Sequence, residues 1–219
     1  MRITHLGHAC LLVEMADVRV LIDPGAFVDD FEAARDLDAV IVTHRHPDHL
    51  DPQRLPGLLE ANREAALLCD PDSVAAFGDL GIEARAHAGS ATRVGAVTIT
   101  PFGEQHALIH DDLPRITNVG VRLDADGEPS FFHPGDALDA VPGEVDVLAF
   151  PLQAPWQRSR DMTAFLRRMA APHAVPIHDG LLQRRGRDLY LGQAAQLGCA
   201  DTRIHDLADA GPVEFRDGA

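Results

Sequence analysis

The stretch VIVTHRHPDHLDP, residues 40–52, places His44, His46, Asp48 and His49 within six positions, directly after an apolar run that reads as a strand. Crowding three imidazoles and a carboxylate at a strand end costs stability unless a ligand uses them, and a metal ion is the natural user. Pro47 disfavours αR geometry at His46 and suits a first helical turn. This predicts that His44 and His46 lie on the strand-end loop while Asp48 and His49 open a helix. A catalytic zinc takes three protein ligands, and two metals roughly 3.5–4 Å apart need about seven, with one carboxylate shared. The cluster supplies four. Later strand-to-loop junctions each offer one more: His106 in PFGEQH, Asp136 in FFHPGDA and His178 in AVPIHDG.

Around this stretch, short apolar and β-branched runs recur as strands: ACLLVEM at 9–15, VRVLID at 18–23, AVIVTH at 39–44 and AALLCD at 65–70. Ala16 and Asp17 alone join the first two, a spacing that predicts an antiparallel hairpin. Helix-like segments follow at 51–64 and 70–81, each opening with Asp before Pro. A second group of strands reads at 96–102, 117–123, 130–134 and 145–151, with helical periodicity at 160–171 and 181–197. Two strand groups, each followed by helices, favour an α/β fold of two packed sheets with helices outside over a doubly wound sheet. The 219 residues are expected to form one domain, 1–219.

The formal charge of −15 repels a phosphate backbone, so no nucleic acid partner is expected. All 19 basic residues are arginine, which excludes lysine Schiff-base chemistry, lysine general bases and the P-loop. Cys10, Cys69 and Cys199 are too few and too scattered for a disulfide framework or a thiolate site, and are expected to act as small hydrophobes. No signal peptide and no membrane span is legible, so a cytoplasmic protein is expected. The oligomeric state, a homo-oligomer included, is left open.

The intact H-x-H-x-D-H pattern HRHPDH, the later His106, the Gly135-Asp136 pair after an aromatic strand and the final His178 resemble the metallo-β-lactamase superfamily of metal-dependent hydrolases. THLGHACLLVE and VLIDPG, within residues 4–25, look like the opening of its ascorbate-6-phosphate lactonase-like branch. The resemblance implies a four-layer αββα sandwich with a dinuclear site on the sheet rim. By position, His44, His46 and His106 would hold one metal, Asp48, His49 and His178 the other, and Asp136 would bridge them. Zinc is the first expectation, with manganese or iron as competitors on ligand softness. The implied chemistry is hydrolysis of a small-molecule ester or lactone, phosphorylated or not, by a metal-bridging hydroxide, with Asp48 in the catalytic role. A phosphodiesterase on a small or lipid-like substrate is the runner-up, and a non-catalytic or redox di-metal protein is the third reading. The chain departs from many relatives in having Ala137 where they carry threonine after the Gly-Asp pair.

Other residues read in two ways. His8 is either a hydrogen-bond donor beneath the site or part of a hairpin. Trp156, the one tryptophan, is either an apolar wall over the metals or core packing. His110 and its acidic neighbours either line the substrate entrance or form a solvated loop. Arg184, Arg185 and Arg187 either bind an anionic substrate or make up a solvated helix face, with Arg185 singled out for substrate binding. His133, an odd number of residues before Asp136 on a strand, should point away from the metals.

Overall fold

Runs that are apolar at every position, rather than alternately, belong to strands covered on both faces. The computed structural model, which describes residues 1–79 and 81–216, has such strands at the centre of its sheets, Ala39–Val42 and Val147–Pro151 being buried at every position, and shorter, more exposed strands at the edges. In chain order they are β1 (Arg2–Gly7), β2 (Cys10–Met15), β3 (Val18–Ile22), β4 (Ala39–Val42), β5 (Ala66–Cys69), β6 (Arg85–Ala86) and β7 (Thr92–Val94). Then come β8 (Val97–Phe102), β9 (Gly120–Asp124), β10 (Phe131–His133), β11 (Val147–Pro151), β12 (His173–Ile177), β13 (Arg203–Ile204) and β14 (Val213–Glu214). The α-helices among the described residues are α1 (Leu55–Ala61), α2 (Pro71–Asp79), α3 (Ser159–Met169) and α4 (Arg184–Leu197).

The strands form two sheets, ordered β14-β1-β2-β3-β4-β5-β6 and β13-β12-β11-β10-β9-β8-β7. In the first sheet β1, β2 and β3 pair antiparallel and β3, β4, β5 and β6 parallel; in the second β7, β8, β9 and β10 pair antiparallel and β10, β11, β12 and β13 parallel, the parallel pairs being joined by crossovers of a dozen or more residues. Successive strand residues point to opposite faces, so each strand feeds two cores. Leu11, Val13, Val20, Ile22 and Ile41 meet Ile99, Val121, Phe131, Val147 and Val175 between the sheets. Their neighbours Leu12, Leu21, Val40 and Val42 face outward onto Leu55, Leu58 and Phe77, from α1 and α2. Phe132, Leu148 and Phe150 do the same beneath Met162, Phe165 and Leu166 of α3 and Ala194 of α4. This is the expected αββα sandwich.

Three sequence expectations need correction. Thr117 to Val119 do not extend β9: the Val119 N–H donates to the Thr43 carbonyl (2.9 Å), which stitches the two sheets together beside the site. Asp48 and His49 form a single turn, not a helix, because the Asp51 N–H goes to the Pro24 carbonyl (3.1 Å) instead of continuing a helical ladder. Residues 51–54 precede α1, with Asp51 Oδ1 accepting from the Gln53 and Arg54 N–H groups. The hairpin at Ala16-Asp17 is present, both residues taking positive φ (46° and 63°). Of the cysteines, Cys10 and Cys69 are buried as expected, whereas Cys199 is half-buried.

Candidate metal centre

The ends of β1, β3, β4, β10, β11 and β12 meet at one rim, and several residues just beyond them hold strained backbone. His8, Asp23 and His178 have φ of 50°, 51° and 59°, values that non-glycine residues adopt rarely and that concentrate where a site over-determines them. The loop carrying HRHPDH is clamped from outside by the chain after β3. Ala26 N–H donates to the Pro47 carbonyl (2.7 Å), and Gly25 packs so closely that a Cβ there would lie 1.8 Å from the Asp48 carbonyl oxygen.

Fully buried Asp23 orders this loop. Its Oδ1 accepts from the Thr43 N–H (2.7 Å), and its Oδ2 accepts from the Thr43 hydroxyl (2.7 Å) and from His49 Nδ1–H (2.7 Å). With its proton committed to Asp23, the Thr43 hydroxyl accepts from His44 Nδ1–H (3.1 Å). His106 Nδ1–H donates to the Ala107 carbonyl (2.6 Å) and His178 Nδ1–H to the Gln153 carbonyl (2.8 Å). Four imidazoles are therefore fixed through Nδ1, and each turns Nε2 into one small volume. Among the described residues, the Nε2 atoms of His44, His49, His106 and His178, together with Asp136 Oδ1, are buried without a hydrogen-bond partner.

Such orphaned atoms are rare in folded proteins and call for a ligand. The donors fall into groups whose ligating atoms lie within 4.8 Å of one another: His44, His46 and His106; His8, Asp48, His49 and His178; and His44, His49 and Asp136. The first two groups contain the two expected triads, and Asp136 lies between them. Its Oδ1 is 3.1 Å from His49 Nε2, and its Oδ2 is 3.1 Å from His178 Nε2 and 3.4 Å from His106 Nε2. A neutral imidazole with its proton on Nδ1 would turn a lone pair onto a carboxylate oxygen at these distances, so a cation or a second proton must mediate the contacts. The donor set and its geometry fit divalent metals.

Without a metal, protons compete for the same places. Burial opposes protonation of His178, but the Asp136 charge and bonds to Asp136 and Asp48 outweigh it and raise its pKa to about 9. Burial also resists charge on His49, yet Asp136 and Asp23 push its pKa well up. His44 is held well below the usual imidazole range by burial and then by His49. Burial would raise both carboxyls, but His178 and His8 bonds hold Asp48 far down, and the His49 and His178 charges do so for Asp136.

The remaining expected residues divide. Gly180 N–H donates to His8 Nδ1 (3.0 Å), which leaves the ring proton on Nε2 to donate to Asp48 Oδ2 (3.0 Å). Trp156 Nε1–H donates to Asp136 Oδ2 (2.8 Å), supplying a donor close to where Ala137 lacks a hydroxyl. His133 points away as expected, with Nε2–H on the Ala9 carbonyl (3.0 Å). His110 is exposed, accepts from the Asp112 N–H (3.1 Å) and stays outside the cleft lining. Arg185 is also exposed and outside that lining, and Arg187 is drawn to Asp179 and Asp206 (2.7 and 2.6 Å). Of the two readings of each, the solvated one fits where these residues lie: the His110 loop is exposed, Arg184 and Arg185 are exposed on α4, and Asp179 and Asp206 take up Arg187. Asp23, Thr43, Gly25 and Asn118, whose Oδ1 accepts from the Asp136 N–H (2.9 Å), were not singled out from sequence. An aspartate ending an apolar strand before Pro-Gly was the available signal.

Comparison with known proteins gives the family and the fold. The family model for the β-lactamase superfamily domain matches residues 2–178. Protein Rv0786c of Mycobacterium tuberculosis is 40% identical over 217 residues, covering 98% of this chain and 100% of that protein. A UPF0173 metal-dependent hydrolase of Methanosphaerula palustris is 29% identical, with 98% and 100% covered. Among solved structures, the metallo hydrolase Igni18 from Ignicoccus hospitalis superposes with a TM-score of 0.70 at 17% identity, covering 98% of this chain and 99% of that one.

Proposed function

Because this chain belongs to the β-lactamase superfamily of metal-dependent hydrolases, we propose that it is a dinuclear enzyme acting on a small-molecule ester or lactone. The observation that carries this reading is the set of four Nδ1-anchored imidazoles whose buried Nε2 atoms converge on Asp48 and Asp136. His44, His46 and His106 would hold one divalent ion, Asp48, His49 and His178 the other, with Asp136 shared. Zinc fits these nitrogen and oxygen donors, as do manganese and iron. When bound, two such ions lower the pKa of water and polarise the oxygen of the bond to be cleaved.

The chain's own residues do the rest. His8, its tautomer set by the Gly180 N–H, engages Asp48 Oδ2 and so leaves Oδ1 to receive the proton given up as water adds to the acyl carbon. Asp23 and Thr43 keep the His44 and His49 rings from rotating. Trp156 and Asn118 fix the Asp136 carboxylate and backbone.

Asp48→Ala tests this directly. Turnover of a generic lactone should fall by more than about 100-fold, the scale of a lost proton-transfer group, while circular dichroism stays unchanged. Undiminished activity in that variant would remove the assignment.

A further inference from the structure

The cleft above the metal centre has a volume of about 250 Å³, and its lining includes Phe27, Ile109, Pro155, Trp156 and Leu181 alongside His46, Asp48, His106, Asp136 and His178. Phe27 is 44% exposed, Ile109 39% and Leu181 55%, unusual values for large apolar side chains. Of the eight large apolar residues this exposed among the described residues, these three line the cleft. Two more border adjoining hollows: Leu113 beside Ile109, and Leu108 beyond Trp156. The exposed apolar surface is therefore gathered at the mouth of the site, which marks a binding surface and not scattered solvent contacts. The loops that bring in His106 and His178 each carry one such residue three positions on, and the loop after Asp23 carries Phe27 four positions on.

Among the described residues, no arginine lines this cleft. Arg115 donates to the His106 carbonyl (2.9 and 2.6 Å), Arg158 to Asp161 (3.0 Å) and Arg168 to the Leu138 and Ala140 carbonyls, and Arg45, between His44 and His46, is exposed and outside the lining. The net charge of −15 opposes approach of further anions. Larger hollows elsewhere, such as the one of about 580 Å³ at the opposite strand ends, are lined by Arg2, Glu14 and Arg19, which already pair with one another.

Resting on the hydrolase reading above, we infer that the substrate is an uncharged ester or lactone. Its apolar chain or ring packs against Phe27, Ile109, Trp156 and Leu181, and the site discriminates against a phosphate carried away from the reacting bond. In the reaction the water oxygen bonds to the acyl carbon, the bond from that carbon to the ring or alkoxy oxygen breaks, and that oxygen takes a proton. The products are an alcohol and a carboxylic acid, which releases its proton to solvent.

Trp156 is the one tryptophan and lines the cleft, so its fluorescence reads binding independently of turnover. Chelator-treated protein would be titrated with γ-butyrolactone, γ-nonalactone, gluconolactone and 6-phosphogluconolactone, and the metal-loaded enzyme assayed on the same four. The five extra methylenes of γ-nonalactone should tighten binding and raise kcat/KM by about tenfold or more over γ-butyrolactone, and the 6-phosphate should give no gain. Leu181→Asp and Ile109→Asp, both at exposed positions, should each reduce that chain-length ratio to about twofold. A flat chain-length series, or a preference for the phosphorylated lactone, overturns the substrate inference while chelator-sensitive turnover keeps the hydrolase. Absence of chelator-sensitive turnover on all four lactones overturns the ester and lactone reading, and the inference falls with it.

Discussion

Asp23 accepts three hydrogen bonds in full burial and, through Thr43 and His49, sets two of the four anchored rings. In Asp23→Asn the amide nitrogen would have to face either the Thr43 N–H, in the place of Oδ1, or both the Thr43 hydroxyl and His49 Nδ1–H, in the place of Oδ2, so an anchoring bond is lost either way. Metal affinity should fall by about 10- to 100-fold, measured by competition with a chelating dye. Unchanged affinity would show that the rings are held by packing alone. His87 presents the opposite case, an imidazole buried with neither nitrogen hydrogen-bonded. Burial pushes its pKa down to about 4, with the Gly120 backbone opposing weakly. The unfolded chain binds more protons between the ordinary imidazole value near 6.5 and about 4, so stability is lost as pH falls through that window, by roughly 2–3 kcal/mol. His87→Leu removes this dependence. In metal-free protein, the drop in Tm from pH 7 to 4.5 should be smaller for the variant by roughly 4–8 °C, and equal drops would contradict the assignment.

The elements best read from sequence are those that two layers bury. β2, β3, β4 and β11 show as apolar runs because each strand feeds two cores, and the ends of β4, β10 and β12 located the HRHPDH loop, Asp136 and His178. β1 was not legible: RITHLG mixes polar residues along a strand whose partner β14 is only two residues long. The expected helix start at Asp48 failed for a tertiary reason, since Pro24 and Gly25 draw the loop against their own backbone. That contact makes a prediction. Gly25→Ala places a methyl group 1.8 Å from the Asp48 carbonyl oxygen, so the HRHPDH turn must shift. Metal binding should drop by at least about tenfold, read by dye competition, and retention of full affinity would mean that the loop has another way to close. The Ala16-Asp17 turn runs the other way. Two positive-φ residues without glycine strain it, so Ala16→Asn with Asp17→Gly should raise Tm by about 2–4 °C in thermal unfolding.

For the molecule as a whole, the two sheets deliver complementary parts of one centre. The first supplies His8, Asp23 and the HRHPDH loop; the second supplies His106, Asp136, Trp156 and His178, and the Val119–Thr43 bond joins them at the rim. The seven candidate donors, which the structure brings to one rim, were legible in the sequence because metal chemistry restricts residue type and they stand at strand ends. The hydrogen bonds that orient them were not, because Asp23, Asn118 and the Gln153 carbonyl have no distinctive spacing and act only after the sheets pack. The arginines of α4 stayed ambiguous for the same reason: composition shows a charge, and only the fold shows that Asp179 and Asp206 take up Arg187. Among the described residues no helix is long and apolar enough to cross a membrane. In the proposed enzyme both triads hold metal at once. Elemental analysis of protein purified without added metal, repeated after chelation and reloading with zinc, manganese or iron, tests it most directly. The account predicts two equivalents per chain, with hydrolysis lost on chelation and restored on reloading. Saturation at one equivalent with full activity, or no binding and no restored activity with any of the three metals, would contradict it.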